Sequence, residues 1–177
     1  SQQFGHHAAL IPEIYPHVKA VLTEKPLCIN ADTGRKMVAS AQAAGCIHMV
    51  GYHKRSDPAT IAAKARIDDL KASGRLGKLK YVRILMPAGD WIAGGFAGLL
   101  KAGDQPAGVG PAQESRPADM DEATYKKYVE FVNYYIHQVN LMRHLLGEGY
   151  RVTYAEKSGV LMAVESASGI AGTIEMT

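Results

Sequence analysis

The sequence predicts an α/β segment followed by an α+β region. A strand, a helix and a strand follow one another over residues 18–50, at the spacing of a βαβ unit, which implies parallel pairing. A long helix with apolar residues at three- and four-residue steps runs from about Asp121 to Leu146. Three short strands joined by tight turns then imply an antiparallel meander.

Each element has its own local reason. A helix is expected around Ala8–Ile14, kept short by Pro12 or begun by it. Val18-Lys19-Ala20-Val21-Leu22 reads as a short buried strand, and Pro26 stops regular structure after it. The next helix should be capped by Asp32 or Thr33, bury Met37, Val38, Ala41 and Ala44, and end at Gly45. Cys46–Val50 is the second strand. Asp57 as N-cap and Pro58 in the first turn open another helix, with Ile61, Ala65 and Leu70 near one face and Gly74 or Gly77 ending it. Leu79–Met86 alternates as a strand. Residues 87–117 are rich in glycine and proline, and so long a loop in a compact domain is usually a functional lid or a mobile segment. Arg151–Ala155, Gly159–Ser166 and Ile170–Met176 are the closing strands; the last is expected to be an unprotected edge.

Composition excludes several classes. Twenty Lys and Arg against 17 Asp and Glu give a net charge of only +3, with no basic-aromatic stripe, so no nucleic-acid partner is expected. No apolar run reaches the ~18 residues that a membrane span needs. The N-terminus is not a signal peptide. Cys28 and Cys46 form no disulfide framework and read as buried thiols of a cytoplasmic protein. Neither CxxC nor HExxH occurs, so a metal site has no support.

Three segments carry candidate chemistry. Glu24-Lys25-Pro26 follows a parallel strand, at the edge where ligands of open α/β sheets bind. A lysine there can donate to a substrate oxygen, although a solvated lysine before a turn has the same local sequence. Gly51-Tyr52-His53-Lys54-Arg55 ends the second strand at the same edge; Tyr52, His53 and Arg55 suit a ligand site or simply a basic loop. Asn133, His137 and Asn140 share one helical face, where an imidazole can take a proton from an alcohol or border the apolar stripe. His48, inside a strand, reads as structural. His144 sits near a helix C-terminus, where the dipole favours a cation.

Taken in order, these segments resemble the glucose-fructose oxidoreductase/inositol dehydrogenase/MocA family of NAD(P)-dependent oxidoreductases. The motifs are Glu24-Lys25-Pro26 after a strand, Met49-Val50-Gly51-Tyr52 with Arg55 and Asp57-Pro58, Ser73-Gly74-Arg75-Leu76-Gly77 before Tyr81-Val82-Arg83, and His137 in a helix closing with Leu145-Leu146-Gly147-Glu148. The resemblance covers most of residues 7–177 and is strongest over 20–83 and 130–148.

It implies the C-terminal part of a Rossmann-like parallel sheet over 1–57, then an incomplete, mostly antiparallel open-sheet domain for substrate and oligomerisation over 58–177. It implies that Lys25 and His137 are catalytic, with Asn133 where the family usually has aspartate; an amide can orient but cannot take a proton. Glu24, Lys25, Pro26, Tyr52 and Arg55 would line the cofactor site. The family's glycine-rich turn lies upstream of the matching lysine motif, and only 23 residues precede Glu24. The chain is therefore expected to be an internal piece of a longer enzyme that binds NAD or NADP. The implied reaction is hydride transfer between nicotinamide and a CH–OH carbon of a sugar, polyol or cyclitol, with homo-oligomerisation through the open sheet. The alternative is a non-catalytic ligand-binding or assembly protein of the same fold.

Overall fold

A computed structural model of the chain describes residues 4–86, 98, 114 and 116–176. The chain falls into two compact units: Ser1–Tyr52 with Ala107–Ile136, and His53–Pro106 with His137–Thr177. Most of the glycine- and proline-rich stretch at 87–117, read above as a lid or mobile segment, lies outside the described residues.

In the first unit, helix α1 (His7–Ile14) and a 3-10 turn (Tyr15–His17) lead into strand β1 (Ala20–Glu24). Pro12 lies within α1 rather than in its first turn. Helix α2 (Ala31–Ala43) then connects to strand β2 (Ile47–Gly51). The strands pair in parallel, Ala20 opposite Ile47 through Glu24 opposite Gly51, as the βαβ reading required. Tyr15, Ala41 and Cys46 form the core beneath them, with Ile11 and Val21 packed against it.

Two details differ from expectation. β1 begins two residues later than Val18 and is not buried: Leu22 is 72% exposed, and Ile47 and Met49 beside it are exposed too. Helices cover one face of this strand pair, so only alternate side chains find a core. The cap of α2 is Asn30, not Asp32 or Thr33. Asn30 keeps an extended backbone, and its Oδ1 accepts from the Asp32 N–H at 2.8 Å. Starting at Ala31, the helix buries Gly34, Met37 and Ala41, while Val38 and Ala44 face outward.

The second unit opens with a 3-10 turn (His53–Ser56) and helix α3 (Pro58–Ser73). Asp57 Oδ1 caps α3 through the Ala59 and Thr60 N–H groups, as expected. Gly74 closes it in the left-handed conformation at φ 63°. The inward stripe is Thr60, Lys64, Ile67 and Leu70, and Ile61 is exposed. Strands β3 (Tyr81–Met86), β4 (Tyr150–Ala155), β5 (Leu161–Ser166) and β6 (Ala171–Met176) form one sheet in the order β3-β6-β5-β4. β4, β5 and β6 make the expected antiparallel meander. β6 is not an edge, however: it also pairs in parallel with β3, from Tyr81 opposite Ala171 to Met86 opposite Met176. β6 thus lies between β3 and β5.

Helix α4 (Glu122–Leu146) runs through both units, with Asp121 Oδ1 accepting from the Thr124 N–H at its start. In the second unit Met142 and Leu146 are wholly buried with Val82, Ile84, Met162, Val164 and Ile174 of the sheet. Contact is closest at Gly172, where a Cβ would stand 2.8 Å from Met142 Cε and 2.9 Å from Val164 Cγ2. Gly172→Ala should therefore destabilise. Overpacking costs about 1–3 kcal/mol, more than the ~0.5–1 kcal/mol that alanine usually gains over glycine in a strand. Thermal unfolding checks this, and an unchanged midpoint would mean that Met142 moves aside.

A polar network crosses the first unit's core. Tyr15, wholly buried, pairs through its hydroxyl with His48 Nδ1 at 2.8 Å, and His48 Nε2 meets Thr23 Oγ1 at 2.9 Å. His48 is thus structural, as its place in the strand suggested. Burial lowers its pKa from 6.5, and nearby His7 lowers it further. The unfolded chain therefore binds the proton more readily. This contribution to stability is full above pH 6.5 and is lost as pH falls below 6.5 through the folded-state value. Urea unfolding between pH 8 and about pH 5 should show a decline that His48→Gln flattens. Parallel profiles for the two proteins would contradict it.

Candidate active site

Five of the seven candidate residues lie in the first unit around the C-terminal edge of the parallel strands. β1 ends at Glu24 directly opposite Gly51 of β2, so Lys25 and Tyr52 leave the sheet side by side. Packing at Gly51 is close: a Cβ would stand 3.2 Å from the Thr23 carbonyl oxygen, so that the backbone of β1 would have to give by a few tenths of an ångström. Glu24 is exposed, and its Oε2 accepts from the Lys25 N–H at 3.3 Å. Tyr52 is half-buried, and its N–H donates to the Val50 carbonyl at 2.8 Å. Pro26 is buried, its carbonyl 3.1 Å from His7 Nδ1, and the Lys25–Pro26 peptide is cis.

Lys25 does not point into solvent. Its Nζ donates to the Asn133 main-chain oxygen at 2.8 Å and to Asn133 Oδ1 at 3.1 Å. An ammonium has three N–H donors, and this pair of bonds uses two. Burial lowers the Lys25 pKa from the usual lysine value, with Glu24 opposing. Asn133 brings no formal charge, so it favours the ammonium through these two hydrogen bonds alone, less strongly than a carboxylate would.

The remaining two candidates, His137 and Arg55, lie in the second unit. The 3-10 turn after β2 meets the following stretch of α4 through two contacts. The rings of His53 and His137 are edge to face with centroids 4.6 Å apart. Arg55 Nε donates to Asn140 Oδ1 at 2.6 Å. Arg55 is thus engaged by the helical face that carries His137. One turn further on, burial lowers the His144 pKa, and the charges of Arg55 and Lys64 lower it more. That environment disfavours the cationic form expected from the helix dipole.

Sequence reasoning passed over two residues of the first unit. Tyr128, read as packing, donates its hydroxyl to the Ile29 carbonyl at 2.7 Å. Glu114 accepts from the N–H groups of Ile29 at 2.7 Å and Asn30 at 3.1 Å. A tyrosine on an apolar helical stripe and a glutamate in a glycine-rich stretch carry no pattern that would single them out. Cys28, half-buried beside them, is pushed up to about 11 by burial and by the Glu114 charge, which keeps it a thiol. Among the described residues no group of three His, Cys, Asp or Glu side chains is placed to hold a metal ion. No helix among them is long and apolar enough to cross a membrane.

No family model matches the chain. Among curated proteins, it is 36% identical over 109 residues to trans-1,2-dihydrobenzene-1,2-diol dehydrogenase of Oryctolagus cuniculus, a match covering 57% of this chain and 32% of that enzyme. It is 39% identical over 72 residues to inositol 2-dehydrogenase of Rubrobacter xylanophilus, covering 40% of this chain and 20% of that enzyme. Among solved structures, a putative myo-inositol dehydrogenase from Sinorhizobium meliloti superposes with a TM-score of 0.64 at 24% identity, over 99% of this chain and 48% of that one. The myo-inositol dehydrogenase of Lactobacillus casei, solved with NAD(H) and myo-inositol, gives a TM-score of 0.63 at 17% identity, over 98% of this chain and 45% of that one. The chain thus spans about half the length of these structures. By sequence and fold together, it is related to the glucose-fructose oxidoreductase/inositol dehydrogenase/MocA oxidoreductases.

Proposed function

We propose that the chain carries the substrate end of an NAD(P)-dependent oxidoreductase acting on a CH–OH carbon of a sugar, polyol or cyclitol. In this reading His137 removes the hydroxyl proton and Lys25 donates a hydrogen bond to the same oxygen. Residues 1–57 serve as the C-terminal part of the dinucleotide-binding domain, and 58–177 as the substrate and oligomerisation domain. The observation that carries the proposal is the bond from Lys25 Nζ to Asn133, one turn before His137 on α4. It ties an acidic donor from the strand edge to the helix that bears a base.

The residues present fit one end of the cofactor. At the strand edge, Lys25 and Tyr52 leave β1 and β2 side by side, at the C-terminal edge where ligands of open α/β sheets bind. Glu24, Lys25, Pro26, Tyr52 and Arg55 are the residues that would hold the nicotinamide end. For the pyrophosphate end the sequence offers no G-x-G-x-x-G turn. When bound, the cofactor supplies the hydride acceptor or donor. The work of this chain is to position the carbinol, to take its proton at His137 and to steady the oxygen with the Lys25 ammonium. The third Lys25 N–H is the one left for substrate, since Asn133 takes two.

The outer face of the four-stranded sheet supports homo-oligomerisation. Tyr81 and Leu85 of β3 and Tyr154 of β4 are exposed on it. Leu85→Lys should shift the protein to a smaller species in light scattering, and an unchanged mass would remove this face from assembly.

Turnover of sugars, polyols and cyclitols by the longer enzyme of which this chain is proposed to be part, followed by nicotinamide absorbance, tests the catalytic reading; the isolated chain is expected to show little activity. His137→Ala and Lys25→Met should each lower kcat by about 10²–10⁴-fold, with dinucleotide affinity changed far less. Full turnover in either variant removes that residue from the mechanism. Because Lys25 must keep its proton to donate, activity should fall as pH rises through its lowered pKa. Asn133→Asp places a carboxylate beside the ammonium and should move that alkaline limb to higher pH. A limb that stays in place means Lys25 does not set it.

A further inference from the structure

The residues between β1 and α2 carry Lys25, and side chains from elsewhere in the first unit hold them at four points. Lys25 Nζ is bound to Asn133. The Pro26 carbonyl meets His7 Nδ1 at 3.1 Å. The Ile29 carbonyl accepts from the Tyr128 hydroxyl at 2.7 Å. The Glu114 carboxylate accepts from the Ile29 N–H at 2.7 Å and the Asn30 N–H at 3.1 Å.

Ile29 is buried and held at both its main-chain N–H and its carbonyl. It lies ahead of α2, whose own cap is already made by Asn30. The grip of Glu114 therefore goes beyond helix capping. A carboxylate accepting from two successive N–H groups is a strong, directional contact. Tyr128 and Asn133 stand on the same helix, about 7.5 Å apart along its axis at 1.5 Å per residue. The connection is thus pinned to α4 at both ends.

We propose that Glu114 and Tyr128 are positioning residues for Lys25: by fixing the Ile29–Asn30 peptide they set where the ammonium meets α4. The inference rests on the reading of Lys25 as the donor to substrate oxygen. Neither residue touches the reacting atoms. They act at the far end of a short, proline-stiffened connection, so their loss lets the Lys25 end shift.

Side-chain 15N NMR of the full chain tests this, with the Lys25 signal assigned through Lys25→Arg. In Glu114→Ala and Tyr128→Phe the Lys25 Nζ protons should exchange at least ten-fold faster, and its titration should move up toward an ordinary lysine. Glu114→Gln should fall between Glu114→Ala and wild type, because one acceptor remains. Should Glu114→Ala fail to fold, Tyr128→Phe, which loses a single hydroxyl, carries the test. Faster exchange of the Ile29 and Asn30 N–H groups with an unchanged Lys25 signal would overturn the proposal and leave the pair a purely local role. Turnover measured alongside separates the two readings: Lys25→Met with full kcat defeats the catalytic assignment, while the NMR result still decides the positioning.

Discussion

An ammonium taken partly out of water needs acceptors, and the structure around the strand edge is arranged to supply them. Lys25 finds both oxygens of Asn133. The main-chain oxygen is the one that the helical pattern also pairs with the N–H four residues on, at His137. A carbonyl has two lone pairs, so both bonds can be made at once. The contact thereby requires that β1 end where it does, that α4 remain helical through 133–137, and that the connection after Lys25 keep its path. Those requirements explain why polar side chains cluster along that connection, although Pro26 and Ile29 within it are buried.

Elements set by local pattern were legible in the sequence. The apolar rhythm of α4, the Asp57–Pro58 start of α3 and the alternation of β3 all need only neighbouring residues to be read. Buried Val82 and Ile84 and exposed Tyr81 and Leu85 follow that alternation. The candidate site was legible for the same reason: Glu24-Lys25-Pro26 and Gly51-Tyr52 end two strands of one βαβ unit, and parallel pairing brings them together.

What was not legible depends on partners far apart in the chain. The pairing of β3 with β6 joins residues about ninety positions apart, and no local feature of Ile170–Met176 announces a second neighbour. The same distance hides Glu114 and Tyr128, which reach Ile29 across 85 and 99 residues. The exposure of Leu22, Ile47 and Met49 was missed for another reason. Apolar sequence marks a strand that can be buried on both faces, but burial needs a covering layer, and among the described residues only one face has one. At the α2 cap, Asp32 and Thr33 were as suitable by residue type as Asn30. The extended backbone of Asn30 decides between them.

Asn133 has a consequence for acid–base balance. A carboxylate there would hold the Lys25 proton more tightly and make the lysine a weaker acid. Asn133 accepts one bond at its main-chain oxygen and one at Oδ1 but offers no negative charge, so burial acts on the ammonium with only the charge of exposed Glu24 opposing it. A hydrogen-bond donor of lowered pKa is better matched to an oxygen on which negative charge develops. An asparagine where the resembled family usually has aspartate therefore does not by itself argue against the proposed chemistry at this edge. In the proposed reaction it leaves the task of stabilising developing charge to Lys25, so that the geometry of that one side chain, rather than the charge of its partner, is the quantity on which the proposal depends.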